Sequence, residues 1–238
     1  MSEQAKPEPP LRTILLVILV VLPLAVILLQ WALDLPVHMG QIGNSLYKFA
    51  FVIPPVIYCL VYNESIKSEI FKLQNWRNGI KLSVGLGFLA IGIFWTLYYL
   101  LADRLLPKET LEKIAENIDS QFGVTRENIW YRAPYTILIN SMLEEFFYRG
   151  FAFGQLLKKN RLIGYLLPAS VFTVQHVLFF NQWEMEWLPF VLAVVGLIFF
   201  ALVLQWVYAK TNTLIAPWLI HAFGDIAMMG IAVILLFK

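Results

Sequence analysis

The sequence predicts an all-α membrane protein: a polytopic transmembrane helical bundle of about seven spans with one amphipathic interfacial helix. Of its 238 residues, 59% are hydrophobic and only 14% are charged. A soluble domain is usually nearer half apolar and a quarter charged. The apolar residues fall in continuous runs of roughly 17–25 residues, the length a helix needs to cross a bilayer. Because these runs do not alternate with polar residues, a transmembrane barrel is disfavoured.

The apolar runs divide the chain into three parts. Residues 1–10 are polar and proline-rich and are predicted to form a disordered tail. Residues 11–133 hold N-terminal membrane helices and the amphipathic helix, and 134–238 hold the rest of the membrane core. The predicted spans are 11–33, 46–62, 82–102, 134–157, 162–180, 187–209 and 213–237.

The amphipathic helix is predicted at 108–122, between the third and fourth spans. Charged residues fill one side of this segment, and its apolar residues share the other: Leu111, Ile114, Ala115, Ile118 and Phe122. Such a helix lies in the membrane interface or covers the bundle. A simple surface connector and a substrate gate both remain open for it.

Charge indicates how the chain is oriented and what it binds. Basic residues favour cytoplasmic loops, and the loops at 63–81, 158–161 and 210–212 would all be cytoplasmic if the N-terminus is inside. The formal net charge is +2, and no basic cluster suggests nucleic-acid binding. The single cysteine, Cys59, excludes an intramolecular disulfide. The predicted surroundings are therefore the lipid bilayer, with the N-terminus cytoplasmic.

The most informative stretch is 141–150, where three ionisable residues lie inside the fourth apolar run. Each charge at a membrane helix centre costs roughly 2.5–3.5 kcal/mol, so such groups face a protein interior or a wet cavity. Glu145 and Arg149 are four residues apart and share a helical face. Glu144 is rotated by about 100° and has no predicted local partner. One glutamate is thus predicted to be structural and the other available for chemistry, although a buried ion-pair cluster that only fixes helix packing is the alternative.

Three more ionisable residues lie in later spans: His176 in the fifth, and His221 and Asp225 in the seventh. His221 and Asp225 share a helical face, as do Phe172 and His176. Glu144 could take a proton from water held by His176, while His221 and residue 225 stabilise an oxyanion. Alternatively, Glu144, His176, His221 and Asp225 could hold a divalent metal that activates water.

Other uses of this set stay open. The chain has no His-Glu-x-x-His motif, so the usual zinc-protease template does not apply. A proton- or cation-coupled transporter could use the same groups, although no internal repeat of the kind common in transporters is present. A static polar network is the remaining alternative.

These residues resemble the ordered motifs of the CPBP family, which includes CAAX-processing endoproteases and bacterial Abi-type, bacteriocin-immunity-related membrane proteins. The motifs are Glu144-Glu145-x-x-x-Arg149, Phe172-x-x-x-His176 and His221-x-x-x-Asp225, and the run at 214–221 is also typical of the family. The resemblance covers roughly 134–237.

The resemblance implies an intramembrane endopeptidase, located in a bacterial plasma membrane. Glu144 would be the general base, His176 would orient water, and His221 with Asp225 would stabilise the oxyanion. Glu145, Arg149 and Phe172 would support the site, and a divalent metal such as zinc is a candidate cofactor. The third motif ends in Asn or Asp across the family. Because ionised Asp only accepts hydrogen bonds, Asp225 must be protonated, must orient His221, or must bind a metal.

The resulting prediction is a peptidase that hydrolyses a peptide bond of a membrane-associated peptide or protein through water activated by the glutamate and histidine, with metal assistance left open. The alternatives are a non-catalytic membrane immunity or scaffold protein and a proton- or cation-coupled transporter.

Overall fold

The structure, a computed structural model, describes residues 10–32, 40–63, 76–105, 118, 124–180 and 187–237. Apart from short turns, these residues are helical and none of them forms a strand, which confirms the all-α prediction. The described helices are α1 (Pro10–Ala32), α2 (Gly40–Tyr62), α3 (Trp76–Leu105), α4 (the continuous run 129–159), α5 (Arg161–Phe180), α6 (Trp187–Thr211) and α7 (Ile215–Phe237).

Each predicted span corresponds to one of these helices. Four helices contain stretches that are long and apolar enough to cross a membrane: Leu11–Leu29, Trp76–Leu100, Phe190–Thr211 and Ile215–Phe237. A shorter apolar stretch, Lys48–Tyr62, makes up most of α2. The polytopic helical fold is therefore confirmed, while the count of seven crossings and the cytoplasmic N-terminus stay predictions.

Two predicted segments fall largely outside the described residues. The tail at 1–10 is described only at Pro10. The amphipathic segment at 108–122 is described only at Ile118, which is buried in a small cluster with Ile129, Ala232 and Leu236. The interfacial helix stays a prediction.

The N-terminal helices pack against α4 through aromatic side chains. Arg12, near the start of α1, donates from Nε to the hydroxyl of Tyr58, near the end of α2, at 2.9 Å, so these two helices are antiparallel. Phe51 of α2 meets Phe147 of α4 edge to face, with ring centres 5.4 Å apart. Two turns later in α2 and one turn later in α4, Tyr58 meets Phe151 at 5.5 Å. Because both contact positions advance together, α2 and α4 run in the same direction.

The C-terminal helices form two antiparallel hairpins. Asn160 is extended and separates α4 from α5. Asn212 has a left-handed backbone with φ of 51° and ends α6 just before α7; asparagine is among the non-glycine residues that adopt this conformation most readily. At the other end of the bundle Ile129 of α4 packs against Ala232 and Leu236 of α7, so α4 and α7 are also antiparallel.

Helix α3 runs alongside α7 and supports it. The hydroxyl of Ser83 lies 2.7 Å from the carbonyl oxygen of Ala216, and it is the same distance from that of Gly79 in its own helix. Gly87 allows the close approach, because a Cβ there would overlap the ring of Phe223. Helix α7, which carries His221 and Asp225, is thus fixed between α3 and α4.

Candidate active site

The central helix α4 changes its hydrogen-bonding pattern at the predicted site. The short α-helical segment Ser141–Glu145 contains both glutamates. It is flanked by two π-helical segments, Tyr135–Asn140 and Phe146–Phe153. Such wide turns are rare and occur most often at functional sites, because they alter which side chains share a face. Nothing in the sequence pattern predicted them.

The α4–α5 hairpin places Glu144 beside His176. Glu144 precedes Asn160 by sixteen residues, and His176 follows it by sixteen. Positions equidistant from the turn of an antiparallel hairpin lie at the same level. Accordingly, the Oε2 atom of Glu144 lies 3.7 Å from Nε2 of His176.

The antiparallel packing of α7 on α4 adds His221 to the same place. Nε2 of His221 lies 3.9 Å from Oε2 of Glu144. One turn away, the indole Nε1 of Trp218 donates to the hydroxyl of Ser141 at 3.1 Å, which ties the two helices together. The side chains of Glu144 and His221 are only 5% and 6% exposed, so both are removed from bulk solvent.

Glu145 lies at the centre of a buried ionic network. Its Oε1 atom accepts from Nη1 of Arg149 at 2.7 Å and from Nδ1 of His221, also at 2.7 Å. The Glu145–Arg149 pair is the one that the four-residue spacing predicted. Because a carboxylate paired with a guanidinium can only accept, Nδ1 of His221 carries the proton. Glu145 therefore fixes the ring of His221 so that its Nε2 atom faces Glu144.

Arg149 is fully buried and surrounded by aromatic rings. Its guanidinium lies 4.7 Å from the centre of the Phe172 ring and 5.8 Å from that of Tyr148. The hydroxyl of Tyr148 in turn donates to Oε1 of Gln175 on α5. Cation–π contacts of this kind add to the ion pair with Glu145, so Arg149 joins α4 to α5.

Glu144 has a local partner that the sequence interpretation did not include. The side-chain amide of Asn140 donates to its Oε1 atom at 2.9 Å. The prediction that Glu144 has no local partner is therefore wrong. Asn140 lies four residues earlier on the same helical face, which is the spacing at which helical side chains meet. The second oxygen, Oε2, is buried and has no hydrogen-bond partner.

His176 is oriented by its own helix. Its Nδ1 atom lies 2.8 Å from the backbone carbonyl oxygen of Phe172. Since a carbonyl oxygen only accepts, Nδ1 is the donor, and the neutral ring presents the lone pair of Nε2 to Glu144. The Phe172 ring lies against the imidazole with centroids 4.2 Å apart, as their shared helical face predicted.

Asp225 completes the set on the accessible side. Its Oδ1 atom lies 3.9 Å from Nε2 of His221, and its Oδ2 atom is buried without a hydrogen-bond partner. The side chains of His176 and Asp225 are 25% and 18% exposed, more than those of Glu144 and His221. The site therefore opens between α5 and α7, and its deep end is Glu144.

The sequence interpretation also missed Lys48. This cation lies in the apolar stretch of α2, where an ionisable residue signals a function by default. Its charge acts on both Glu144 and Asp225. The signal was present in the sequence, but only the packing of α2 on α4 shows where the lysine points.

A divalent metal at the predicted site residues stays a prediction. Among the described residues, no group of three or more His, Cys, Asp or Glu side chains is placed to hold a metal ion. The Nδ1 atom of His221 is held by Glu145 and that of His176 by a backbone carbonyl, which leaves the Nε2 atom of each ring available. Histidines that bind a metal are commonly held in the same way.

Comparison with known families supports the motif interpretation. Residues 126–227 match a family model described as "Type II CAAX prenyl endopeptidase Rce1-like". This confirms the resemblance to the CPBP family of CAAX-type proteases, over a segment that includes all seven predicted site residues. No curated protein and no solved structure matches the chain. The family match and the apolar helices together support an integral membrane protein of the CAAX-type protease class.

Proposed function

We propose that this protein hydrolyses a peptide bond of a membrane-associated peptide or protein, using water activated by Glu144 and oriented by His176. One observation carries the proposal. The Oε2 atom of Glu144 is buried and lacks a hydrogen-bond partner, yet it faces the Nε2 atoms of two histidines at 3.7 and 3.9 Å. A buried carboxylate oxygen without a hydrogen-bond partner favours the binding of a hydrogen-bond donor. A water molecule is such a donor, and it is also the reactant that hydrolysis needs.

In the first step, water donates one hydrogen bond to Oε2 of Glu144 and the other to the lone pair on Nε2 of His176. Glu144 takes a proton as the water oxygen attacks the carbonyl carbon of the substrate. Asn140 holds the other oxygen of Glu144, so the carboxylate does not need to reorient during the transfer. A new C–O bond forms, and the carbonyl oxygen becomes an oxyanion.

In the second step, the C–N bond breaks and Glu144 passes its proton to the departing amine. The oxyanion requires a hydrogen-bond donor while it exists. In its imidazolium form His221 provides one, because Glu145 accepts from Nδ1 and leaves an N–H at Nε2. Asp225 faces that same Nε2 atom from 3.9 Å. Because that separation is longer than a hydrogen bond, the three roles that the sequence left for Asp225 stay predictions.

The substrate class follows from the location of the site. Glu144 lies in the middle of the helical run 129–159, and the accessible side chains His176 and Asp225 lie on helices that are largely apolar. A peptide that reaches them is thus a tail or segment associated with the bilayer. Matching the CAAX-type family supports the same class, while the individual substrate is left to experiment.

The proposal is tested by cleavage of quenched, lipid-anchored peptides in proteoliposomes containing the purified protein. General-base catalysis contributes about 10²–10⁴-fold, so Glu144→Gln should reduce kcat/KM by at least that much. Glu127→Gln is the matched control, because Glu127 is exposed in the turn before α4, where its backbone N–H donates to the hydroxyl of Thr125.

Two outcomes would contradict the proposal. One is cleavage by the Glu144→Gln variant at the wild-type rate. The other is a folded wild-type protein that cleaves none of a diverse set of anchored peptides, which would favour the immunity or scaffold role. The same assay with chelator measures metal dependence. Loss of cleavage there would point to Glu144, His176, His221 and Asp225 as ligands.

A further inference from the structure

Lys48 of α2 lies at the level of the proposed catalytic glutamate. Helices α2 and α4 run in the same direction, with Phe51 against Phe147 at 5.4 Å. Lys48 precedes Phe51 by three residues, as Glu144 precedes Phe147. Residues three apart share a helical face, so the two charged residues occupy equivalent positions one turn before the aromatic contact.

The side chain of Lys48 is directed inward along this contact. Its Nζ atom lies 5.9 Å from the centre of the Phe51 ring. Phe51 also meets Tyr148 at 5.9 Å, so the lysine stem lies beside the aromatic wall of the site. From there the ammonium interacts electrostatically with Glu144 on α4 and with Asp225 on α7. Lys48 is thus within electrostatic range of two carboxylates from two other helices.

The charges of the site explain why a cation is needed there. Three carboxylates, Glu144, Glu145 and Asp225, lie around the imidazole of His221, largely removed from bulk solvent. Arg149 is bound by Glu145 at 2.7 Å and is fully buried behind it. Glu144 and Asp225 both face Nε2 of His221 at 3.9 Å, so their charges repel each other across that imidazole. Repulsion between two carboxylates in a poorly polar site is large.

We infer that Lys48 is a positioning residue of the active site, whose ammonium offsets the charges of Glu144 and Asp225 and holds both carboxylates against His221. The inference rests on the proposed function for its catalytic consequence, whereas its electrostatic part does not require that the protein is a peptidase. It also gives α2 a part in the site, although the family match begins only at residue 126. In this chain, the cation from α2 accompanies a third motif that ends in Asp rather than Asn.

The catalytic test is a double-mutant cycle between residues 48 and 225. Lys48→Met keeps the length and removes the charge, and it should reduce kcat by about tenfold or more with little change in KM. Lys48→Arg keeps the charge and should retain most of the activity. If Lys48 acts by offsetting the charge of Asp225, the two substitutions should not be independent. The factor by which Asp225→Asn lowers kcat should then be at least about threefold smaller in the Lys48→Met background than in the wild type.

The control is Lys210→Met. Lys210 is also a lysine on an apolar helix, but it is exposed at the end of α6 and lies over the ring of Trp206. It should leave kcat and KM unchanged. Wild-type kcat in Lys48→Met would overturn the inference. The inference would also be overturned if the effects of Lys48→Met and Asp225→Asn on kcat were strictly multiplicative.

A second readout separates this inference from the proposed function. Thermal unfolding of the same four proteins in detergent measures coupling without any substrate. The inference predicts that Asp225→Asn raises the unfolding midpoint more in the Lys48→Met protein than in the wild type. A wild type that does not cleave, combined with this coupling, would overturn the proposed function alone. Glu144-dependent cleavage without any coupling would overturn only the role of Lys48.

Discussion

Glu144 and Glu145 are adjacent in the chain, yet they face two different regions of the molecule. Glu145 faces a closed region, in which Arg149 and His221 both bond its Oε1 atom at 2.7 Å. Glu144 faces an open region, which is lined by the more accessible His176 and Asp225 and in which its Oε2 atom lies opposite the Nε2 atoms of two histidines. Short, charge-assisted bonds mark the first region and separations of 3.7–3.9 Å mark the second.

A membrane helix can thus hold two neighbouring carboxylates for two purposes. A buried ion pair such as Glu145–Arg149 orders the helices around it, and removing one partner of such a pair is strongly destabilising. Oε2 lacks a hydrogen-bond partner in both glutamates, but that of Glu144 lies opposite the Nε2 atoms of two histidines, where a water molecule can bind. His221 belongs to both regions, since Nδ1 faces Glu145 and Nε2 faces Glu144.

The largest effect is expected from breaking the closed region. Arg149→Met leaves Glu145 buried without its cation, which should lower the free energy of unfolding by about 3–5 kcal/mol. Cleavage should be lost together with the fold. Thermal unfolding in detergent measures the first effect, and Arg161→Met, at an exposed arginine that begins α5, is the control. An Arg149→Met protein as stable as the wild type would show that the closed region does not hold the helices.

A smaller effect is expected from loosening the open region. Asn140→Leu removes the donor to Oε1 of Glu144 without adding a charge. A hydrogen bond to a charged group contributes about 1.5–3 kcal/mol, so kcat should fall by roughly tenfold or more. The unfolding midpoint should fall less than in Arg149→Met, because Glu144 keeps its contacts with His176 and His221. A large drop in stability with unchanged kcat would contradict the division into two regions.

The smallest effect is expected outside both regions. Trp218→Phe keeps the ring packed on α4 but removes the bond from Nε1 to Ser141. The loss of one neutral hydrogen bond should lower stability by about 1 kcal/mol, and kcat/KM should stay at the wild-type value. A strong loss of cleavage in this variant would show that the site extends further along α7.

The helices of this fold could be predicted from the sequence because their apolar runs are long and uninterrupted. The pairing of Glu145 with Arg149 could be predicted as well, since a four-residue spacing fixes which side chains share a face. The same rule would have found Asn140, four residues before Glu144, had amides been considered beside charges. The grouping of Glu144 with His176 follows from the hairpin at Asn160 once both helices are known.

Other features depend on packing that the sequence does not express. The bond between Glu145 and His221 joins residues seventy-six positions apart, and only the antiparallel contact of α4 with α7 creates it. Lys48 was visible as a charge in an apolar run, but its direction depends on how α2 packs on α4. The π-helical turns around Ser141–Glu145 have no sequence signal, since they result from the helix adapting to its neighbours.

The most direct measurement compares Glu144→Gln with Glu145→Gln, the same chemical change at neighbouring residues. Cleavage of anchored peptides and the thermal unfolding midpoint should be recorded on each purified protein. The two-region account predicts that Glu144→Gln abolishes cleavage and keeps the wild-type midpoint, whereas Glu145→Gln lowers the midpoint because Arg149 loses its counter-charge. If both variants lose stability equally, or if Glu144→Gln still cleaves, the assignment of Glu144 to chemistry and Glu145 to structure is contradicted.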